Sequence, residues 1–157
     1  MPHRDHADRE AYDQALARVL GDANVELVCL AGFMRLLGPS FCDAFPSRVH
    51  NVHPSLLPAF PGVDAQRQAL EHGVKVSGAS VHFVTAELDA GPVIMQAAVP
   101  VFDDDTVDTL SGRILTVEHA IYPEAVKRIL SGRWRLAGRR VVFEGAGGLA
   151  GHSSAVQ

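Results

Sequence analysis

The chain has 157 residues, of which 47% are hydrophobic and 20% charged, and this predicts one globular domain with a core of useful size. A formal net charge of −4 without a basic run argues against a nucleic-acid partner, and no apolar stretch is long enough to span a bilayer. The polar N-terminus is unlike a signal peptide. The two cysteines, Cys29 and Cys42, form no paired metal motif, so we expect a protein of the reducing cytoplasm.

The first predicted elements are a helix and a strand. Asp8 can cap a helix over residues 9–20, whose apolar side chains recur at helical spacing. Residues 25–31, Val-Glu-Leu-Val-Cys-Leu-Ala, are almost continuously apolar, which is typical of a strand buried on both faces of a parallel sheet. Cys29 in this run is expected to be a small core residue.

The segment after this strand is the first candidate ligand site. Open α/β sheets bind ligands beyond the carboxyl ends of their strands. There, Met34, Leu36 and Leu37 would wall an apolar ring pocket, and Arg35 would face a carboxylate. The alternative is a loop that packs on the core.

Helices and strands continue to alternate along the rest of the chain. Further helices are predicted over residues 39–45, 65–72 (capped by Asp64) and 107–130 (capped by Thr106). The last of these has an apolar stripe of Leu110, Ile114, Val117 and Ile121. Further strands are predicted over 48–52, 80–84 and 93–101, and a hairpin around Gly138 over 134–143. This alternation predicts an α/β fold with a mostly parallel sheet flanked by helices. Because Gly, Ala and Ser dominate from Glu144 onward, we expect a domain over 1–143 and a disordered tail over 144–157.

The most informative stretch is Asn51-Val52-His53-Pro54-Ser55-Leu56-Leu57-Pro58. In an extended chain, Asn51 and His53 lie on the same face, and Pro54 keeps His53 at a strand end or in a rigid loop. An amide donor beside a proton carrier is what an acyl-type transfer requires. The alternative is an ordinary proline-rich turn.

Several motifs in this order resemble those of the folate-dependent formyltransferases. They are the stretch from Asn51 to Pro58, Ser80-Val81-His82-Phe83-Val84-Thr85 and Glu87-Leu88-Asp89-Ala90-Gly91-Pro92. Ala31-Gly32-Phe33-Met34-Arg35 and Glu118-His119-Ala120-Ile121-Tyr122-Pro123 resemble the branch of the family that acts in purine synthesis. The resemblance implies a formyltransferase-type, Rossmann-like sheet and the transfer of a formyl group from 10-formyltetrahydrofolate to glycinamide ribonucleotide.

The resemblance also implies which residues act. Asn51, His53 and Asp89 correspond to the catalytic trio, in which Asn51 and His53 would donate hydrogen bonds to the oxyanion. The residues that correspond to the folate site are Arg9, Met34, Arg35, Leu36, Leu37, Asn51, Val84 and Asp89. Arg9 and Arg35 would lie near the glutamate tail, and Pro54 and Glu118 would contact the second substrate. The partners would be small molecules, no metal is required, and a homodimer is left open.

The sequence departs from the family pattern at its front. The family begins with a strand and a glycine-rich loop that holds the ribonucleotide phosphate, and no such turn precedes Val25. We therefore expect this sequence to correspond to the C-terminal two-thirds of such an enzyme. On that expectation, the 157 residues alone would bind folate weakly, bind glycinamide ribonucleotide poorly and transfer formyl far more slowly than a full-length relative.

Three rival functions remain open from the sequence. One is another enzyme of the same fold, either a formyltetrahydrofolate deformylase or a methionyl-tRNA formyltransferase, although the latter needs a basic extension. Another is a metal hydrolase built from His50, His53, His82 and Asp89, but His50 and His53 would face opposite ways in a strand. The last is a folate-binding module without catalysis.

Overall fold

The computed structural model describes residues 6–33 and 35–145. The helices are α1 (Arg9–Asp22), α2 (Pro39–Ala44), α3 (Ala65–Glu71) and α4 (Val107–Leu130). The strands are β1 (Val28–Leu30), β2 (Val49–His53), β3 (Val76–Phe83), β4 (Val93–Pro100), β5 (Trp134–Ala137) and β6 (Arg140–Phe143). The α/β class predicted from the sequence is confirmed.

The main sheet has the strand order β1-β2-β3-β4 and is mixed. β1 and β2 are parallel, whereas β2 with β3 and β3 with β4 are antiparallel, so the sheet of the described residues is not mostly parallel. The reason is the connections: α2 crosses over between β1 and β2, but a short loop returns the chain directly from β3 to β4. An apolar run predicts a buried strand without giving its direction.

Strand β1 is shorter and more exposed than its sequence predicts. It spans Val28–Leu30, its central residue Cys29 is exposed, and the expectation of a core cysteine is therefore wrong. Within the described part of the chain β1 is an edge strand that pairs only with β2, and an edge strand has fewer neighbours to cover it. Val28 and Leu30 are half-buried against a cluster formed by Leu37, Phe41, Phe45 and Val49.

The larger core lies between the sheet and α4. Leu110, Ile114 and Ala125 of α4 are fully buried, and they pack in one cluster with Ala79 and Val81 of β3. Burial of each large apolar side chain contributes about 1.5–3 kcal/mol. This cluster makes β3 the most buried strand and a rigid support for the residues at its end.

Helix caps follow the sequence with one exception. Asp8 accepts a hydrogen bond from the Ala11 amide at 2.8 Å, and Thr106 forms a reciprocal capping box with Thr109. Asp64 occupies the N-cap position of α3 but makes no side-chain cap. Its backbone is left-handed, with φ of 55°, and this differs from the extended conformation that points a capping side chain at the first amides.

The predicted hairpin is confirmed, because β5 and β6 pair antiparallel around Gly138. The predicted tail lies outside the described residues from position 146 onward. Across the described ranges, no helix combines the length and the apolar character that crossing a membrane requires.

Candidate active site

His53 ends strand β2, and both of its ring nitrogens face oxygen atoms. Nε2 lies 2.8 Å from the carbonyl oxygen of Phe60, and because a carbonyl only accepts, Nε2 carries a proton and donates it. Nδ1 lies 3.4 Å from Oδ2 of Asp89. The side chain is 6% exposed. The ring orientation is therefore held from both sides, with a carboxylate at the second nitrogen.

Asp89 lies in the loop between β3 and β4 and contacts three groups of the site. Its Oδ2 accepts a hydrogen bond from the Gly62 amide at 2.7 Å, and its Oδ1 lies 3.7 Å from Nε2 of His82. Its backbone is left-handed, with φ of 47°, a conformation that Asp adopts more readily than most side chains. The carboxylate is thus held between the loop after His53 and the end of β3.

Asn51 and His82 are direct cross-strand partners in β2 and β3. His82 Nδ1 donates to the carbonyl oxygen of Phe83 at 2.9 Å, which leaves Nε2 as the acceptor in the neutral ring. The Asn51 amide nitrogen lies 3.4 Å from this Nε2. Burial is the main cause that lowers the pKa of His82. A neutral His82 can therefore fix which end of the Asn51 side chain is the donor.

His82 is a site residue that sequence reasoning missed, since it was considered only as a metal ligand. Its signal was its place in a motif, two residues before Val84, but only the strand register shows that it lies opposite Asn51. Its Nε2 lies 3.4 Å from the Asn51 amide nitrogen and 3.7 Å from Asp89 Oδ1, so His82 connects these two residues.

His50 occupies the opposite face of β2. It is fully buried, its ring packs edge-on against Phe83 at a centroid distance of 4.9 Å, and burial lowers its pKa to about 4. Neither ring nitrogen has a hydrogen-bond partner in residues 6–33 and 35–145. The structure thus separates His50 from His53, as the strand periodicity predicted. Among the described side chains, no group of three His, Cys, Asp or Glu residues is arranged to hold a metal ion.

A buried hydroxyl organises the loop between His53 and Asp64. Ser80 Oγ donates to the carbonyl oxygen of Ser55 at 2.6 Å and accepts from the Leu57 amide at 2.9 Å and from Gln96 Nε2 at 2.8 Å. These contacts attach the loop to β3 and β4. The sequence named Ser80 only as part of a motif and did not predict this role.

The two predicted folate loops lie close together. Leu37 is 3% exposed and packs in one cluster with Phe33 and Val84. The Val84 amide donates a hydrogen bond to the carbonyl oxygen of Val49 at 2.8 Å. Leu37 therefore supports the loop from inside, whereas Leu36 is 44% exposed and accessible to a ligand. Met34 lies outside the described residues.

Arg35 lies in the loop between β1 and α2, and Arg9 of α1 lies beside that loop. The Arg35 guanidinium carbon lies 5.0 Å from the centre of the Tyr12 ring, and both arginine side chains belong to exposed residues. A methyl group at Gly38 would be 3.9 Å from Arg9 Nε, which places that side chain beside the loop. Two cations near one loop suit a ligand that carries carboxylates.

Glu118 lies on α4, one turn before Tyr122, on the side of the helix that meets the strand ends. The Tyr122 hydroxyl lies 2.8 Å from the Leu30 carbonyl oxygen and 3.1 Å from that of His50. Burial raises the pKa of the Glu118 carboxyl. Pro54, the other predicted substrate contact, directly follows His53 and is half-buried.

A cavity of about 460 Å³ opens beside Asp89. Its lining is mostly apolar and includes Leu57, Pro61 and Leu88. Arg139, at the turn of the C-terminal hairpin, reaches this cavity and donates to the Ala90 carbonyl oxygen at 2.5 Å. The hairpin therefore contacts the loop that carries Asp89.

Two curated proteins align with most of this chain. Phosphoribosylglycinamide formyltransferase of Escherichia coli is 50% identical over 128 residues, which cover 82% of this chain and 60% of that protein. The trifunctional purine biosynthetic protein adenosine-3 of Drosophila melanogaster is 49% identical over 132 residues, 84% of this chain and 10% of that protein. The chain thus spans less than two thirds of these curated relatives.

A solved structure gives the same result. The crystal structure of glycinamide ribonucleotide transformylase 1 from Symbiobacterium toebii is 57% identical, with a TM-score of 0.89, and the match covers 91% of this chain and 68% of that one. A family model described as formyl transferase matches residues 1–126. Since this match takes in far more than half of the 157 residues, the chain belongs to the formyl transferase family.

Proposed function

We propose that this chain transfers a formyl group from 10-formyltetrahydrofolate to the amine of glycinamide ribonucleotide, through one catalytic domain over residues 1–143. The names of its relatives support this reaction. The observation that carries the proposal is the contact chain at the strand ends. It runs from His53 to Asp89 at 3.4 Å, from Asp89 to His82 at 3.7 Å and from His82 to Asn51 at 3.4 Å.

The reaction forms one bond and breaks another. The amine nitrogen attacks the formyl carbon, and the formyl oxygen becomes an oxyanion in the tetrahedral intermediate. The bond from that carbon to the folate nitrogen then breaks. The proton lost by the amine ends on the folate nitrogen, so no oxidant, reductant or metal is needed to balance the step.

Asn51 is positioned to donate to the oxyanion. One of its amide hydrogens points towards His82 Nε2, and the second remains for the ligand. Donors that are held in place before the charge develops lower the barrier, and loss of one such donor costs about 10²–10³ in rate.

His53 and Asp89 act together on the proton. A protonated His53 ring would face two acceptors, Phe60 O and Asp89 Oδ2, so it donates to the oxyanion after exchanging one of these contacts. The Asp89 carboxylate orients the ring and can hold the water that relays the proton from the amine.

The remaining residues bind rather than react. Leu36 and Val84, with Met34, would surround the folate ring, while the buried Leu37 would support their loop from inside. Arg9 and Arg35 would bind the glutamate carboxylates of the folate. Pro54 and Glu118 would contact glycinamide ribonucleotide, with the Glu118 carboxylate accepting from its amine or amide.

The test is a product assay with the purified chain, the formyl donor and glycinamide ribonucleotide. We expect formylated ribonucleotide and deformylated folate in equal amounts. We also expect that the folate loses its formyl group only when the amine substrate is present. Release of formate at the same rate without the amine would instead identify a deformylase. Folate binding with neither product would identify a non-catalytic module.

A further inference from the structure

Helix α1 contacts the loop between β1 and α2 through two consecutive buried residues. Tyr12 is 8% exposed, and the guanidinium carbon of Arg35 lies 5.0 Å from its ring centre. Asp13 is 1% exposed, and its Oδ2 accepts a hydrogen bond from the Gly38 amide at 2.6 Å. The two contacts hold both ends of the segment 35–38.

An aspartate is an unusual residue for the buried position 13 of α1 unless its carboxylate makes a specific contact. A buried carboxyl group costs free energy unless hydrogen bonds compensate for the lost water. Only Oδ2 is compensated, since Oδ1 finds no partner among the described residues. An apolar side chain would avoid this cost, so the contact with Gly38 is the physical reason for a carboxylate here.

The approach of the two segments is close. A methyl group at Gly38 would lie 2.9 Å from Asp13 Oδ2, which is too near for a carbon and an oxygen atom. Gly38 has φ of −78°, so its backbone conformation does not itself require glycine. The lack of a side chain is needed for the contact with Asp13.

The segment that these contacts hold is the one predicted to bind folate. It contains Arg35, Leu36 and Leu37, and Arg9 on the same helix lies one turn before Asp13. A ligand binds a loop more weakly when the competent conformation is only partly populated, and the apparent Kd rises by the inverse of that fraction. Contacts that keep the loop in its binding conformation should therefore lower the apparent Kd for the folate.

We propose that Tyr12 and Asp13 are positioning residues for the folate site, with Asp13 holding the loop and Tyr12 placing the Arg35 guanidinium for the glutamate carboxylates. This inference deepens the proposed function and rests on it, because it takes the ligand to be a folate. Neither side chain touches the reacting atoms, so binding and not the chemical step should respond.

The experiment measures Kd by calorimetry for two probes, folic acid and pteroic acid, the second of which lacks the glutamate. For Asp13→Ala we expect about tenfold weaker binding of both probes, which is about 1.4 kcal/mol. Asp13→Asn keeps an oxygen acceptor for Gly38 and should stay within about threefold of wild type. Gly38→Ala disturbs the same contact from the loop and should weaken both probes without any change in α1.

Two variants of Tyr12 test its contact with Arg35. Tyr12→Leu should weaken folic acid about threefold and leave pteroic acid unchanged, because only folic acid has the glutamate that Arg35 would bind. Tyr12→Phe keeps the ring and should match wild type. In the formyl-transfer assay, KM for the folate should rise for Asp13→Ala while kcat stays within about threefold.

The outcomes separate the two proposals. Unchanged Kd values in both Asp13→Ala and Gly38→Ala would overturn the positioning role. A loss of kcat at unchanged KM in Asp13→Ala would overturn it too, as would failure of the wild-type chain to bind folic acid. The expected pattern of Kd values in a chain that binds folic acid but forms no product would support the positioning role and overturn the proposed activity.

Discussion

His53 Nδ1 lies 3.4 Å from Asp89 Oδ2, although the two residues belong to different segments of the chain, the end of β2 and the loop after β3. The Gly62 amide donates to the same carboxylate oxygen at 2.7 Å. Asp89 therefore connects the two loops on which the proposed reaction depends.

Asp89→Asn should cut kcat of formyl transfer by about 10²–10³ and leave the fold nearly intact. The amide has the shape of the carboxylate but not its charge, so it holds the His53 ring and the relay water less strongly. The measurement is kcat with thermal unfolding of the same sample. Asp103→Asn is the control, since Asp103 is an exposed carboxylate paired with Lys75. Equal turnover of both variants would contradict a role for Asp89.

His82→Phe should lower kcat about tenfold, because the acceptor that orients the Asn51 amide is lost. It also removes the bond from Nδ1 to the Phe83 carbonyl, which contributes about 1 kcal/mol to stability. His72→Phe is a matched control, because His72 Nδ1 bonds the Gln68 carbonyl in the same way at an exposed helix end. If kcat falls equally in both variants, His82 has no specific role.

Ser80→Ala should lower the free energy of unfolding by about 1–3 kcal/mol. The substitution leaves the buried Leu57 amide without its acceptor and frees the loop after His53. Chemical denaturation of the variant gives the value. Ser77→Ala is the control, since Ser77 is also a buried residue of β3 but its hydroxyl has no partner within the described ranges. A smaller loss for Ser80 than for Ser77 would contradict the bonding role.

Stability should fall as the pH drops from about 6.5 towards 4, partly because of His50. Burial lowers its pKa to about 4 from the ordinary 6.5, so the unfolded chain binds a proton in this range that the folded chain does not. The full effect is about 3 kcal/mol, present above pH 6.5 and lost as the pH falls through the folded pKa. His82, whose pKa is also lowered, acts in the same direction.

The measurement for His50 is thermal unfolding of wild type and His50→Leu between pH 7.5 and 4.5. Leucine fills a similar volume and does not titrate, so the two curves should converge or cross as the pH falls. Parallel curves would contradict this account, because they would show that His50 binds protons equally in the folded and the unfolded chain.

Much of this protein was determined by its sequence alone. The stripe of α4, its capping Thr106, the hairpin around Gly138 and the strand that delivers Asn51 and His53 depend on neighbours in the chain, so local patterns predict them. The order of the family motifs along the chain likewise indicates the family without any tertiary contact.

Only the tertiary structure decided which distant groups meet. The antiparallel register of β2 and β3 puts His82 opposite Asn51, and a backbone contact 25 residues away gives the buried Asp13 its partner. The same holds for the exposure of Cys29 at a sheet edge and for Ser80 under the His53 loop. The physical reason is that strand direction, register and burial depend on which elements pack together in space, and an apolar or polar pattern along one element carries no information about its partner.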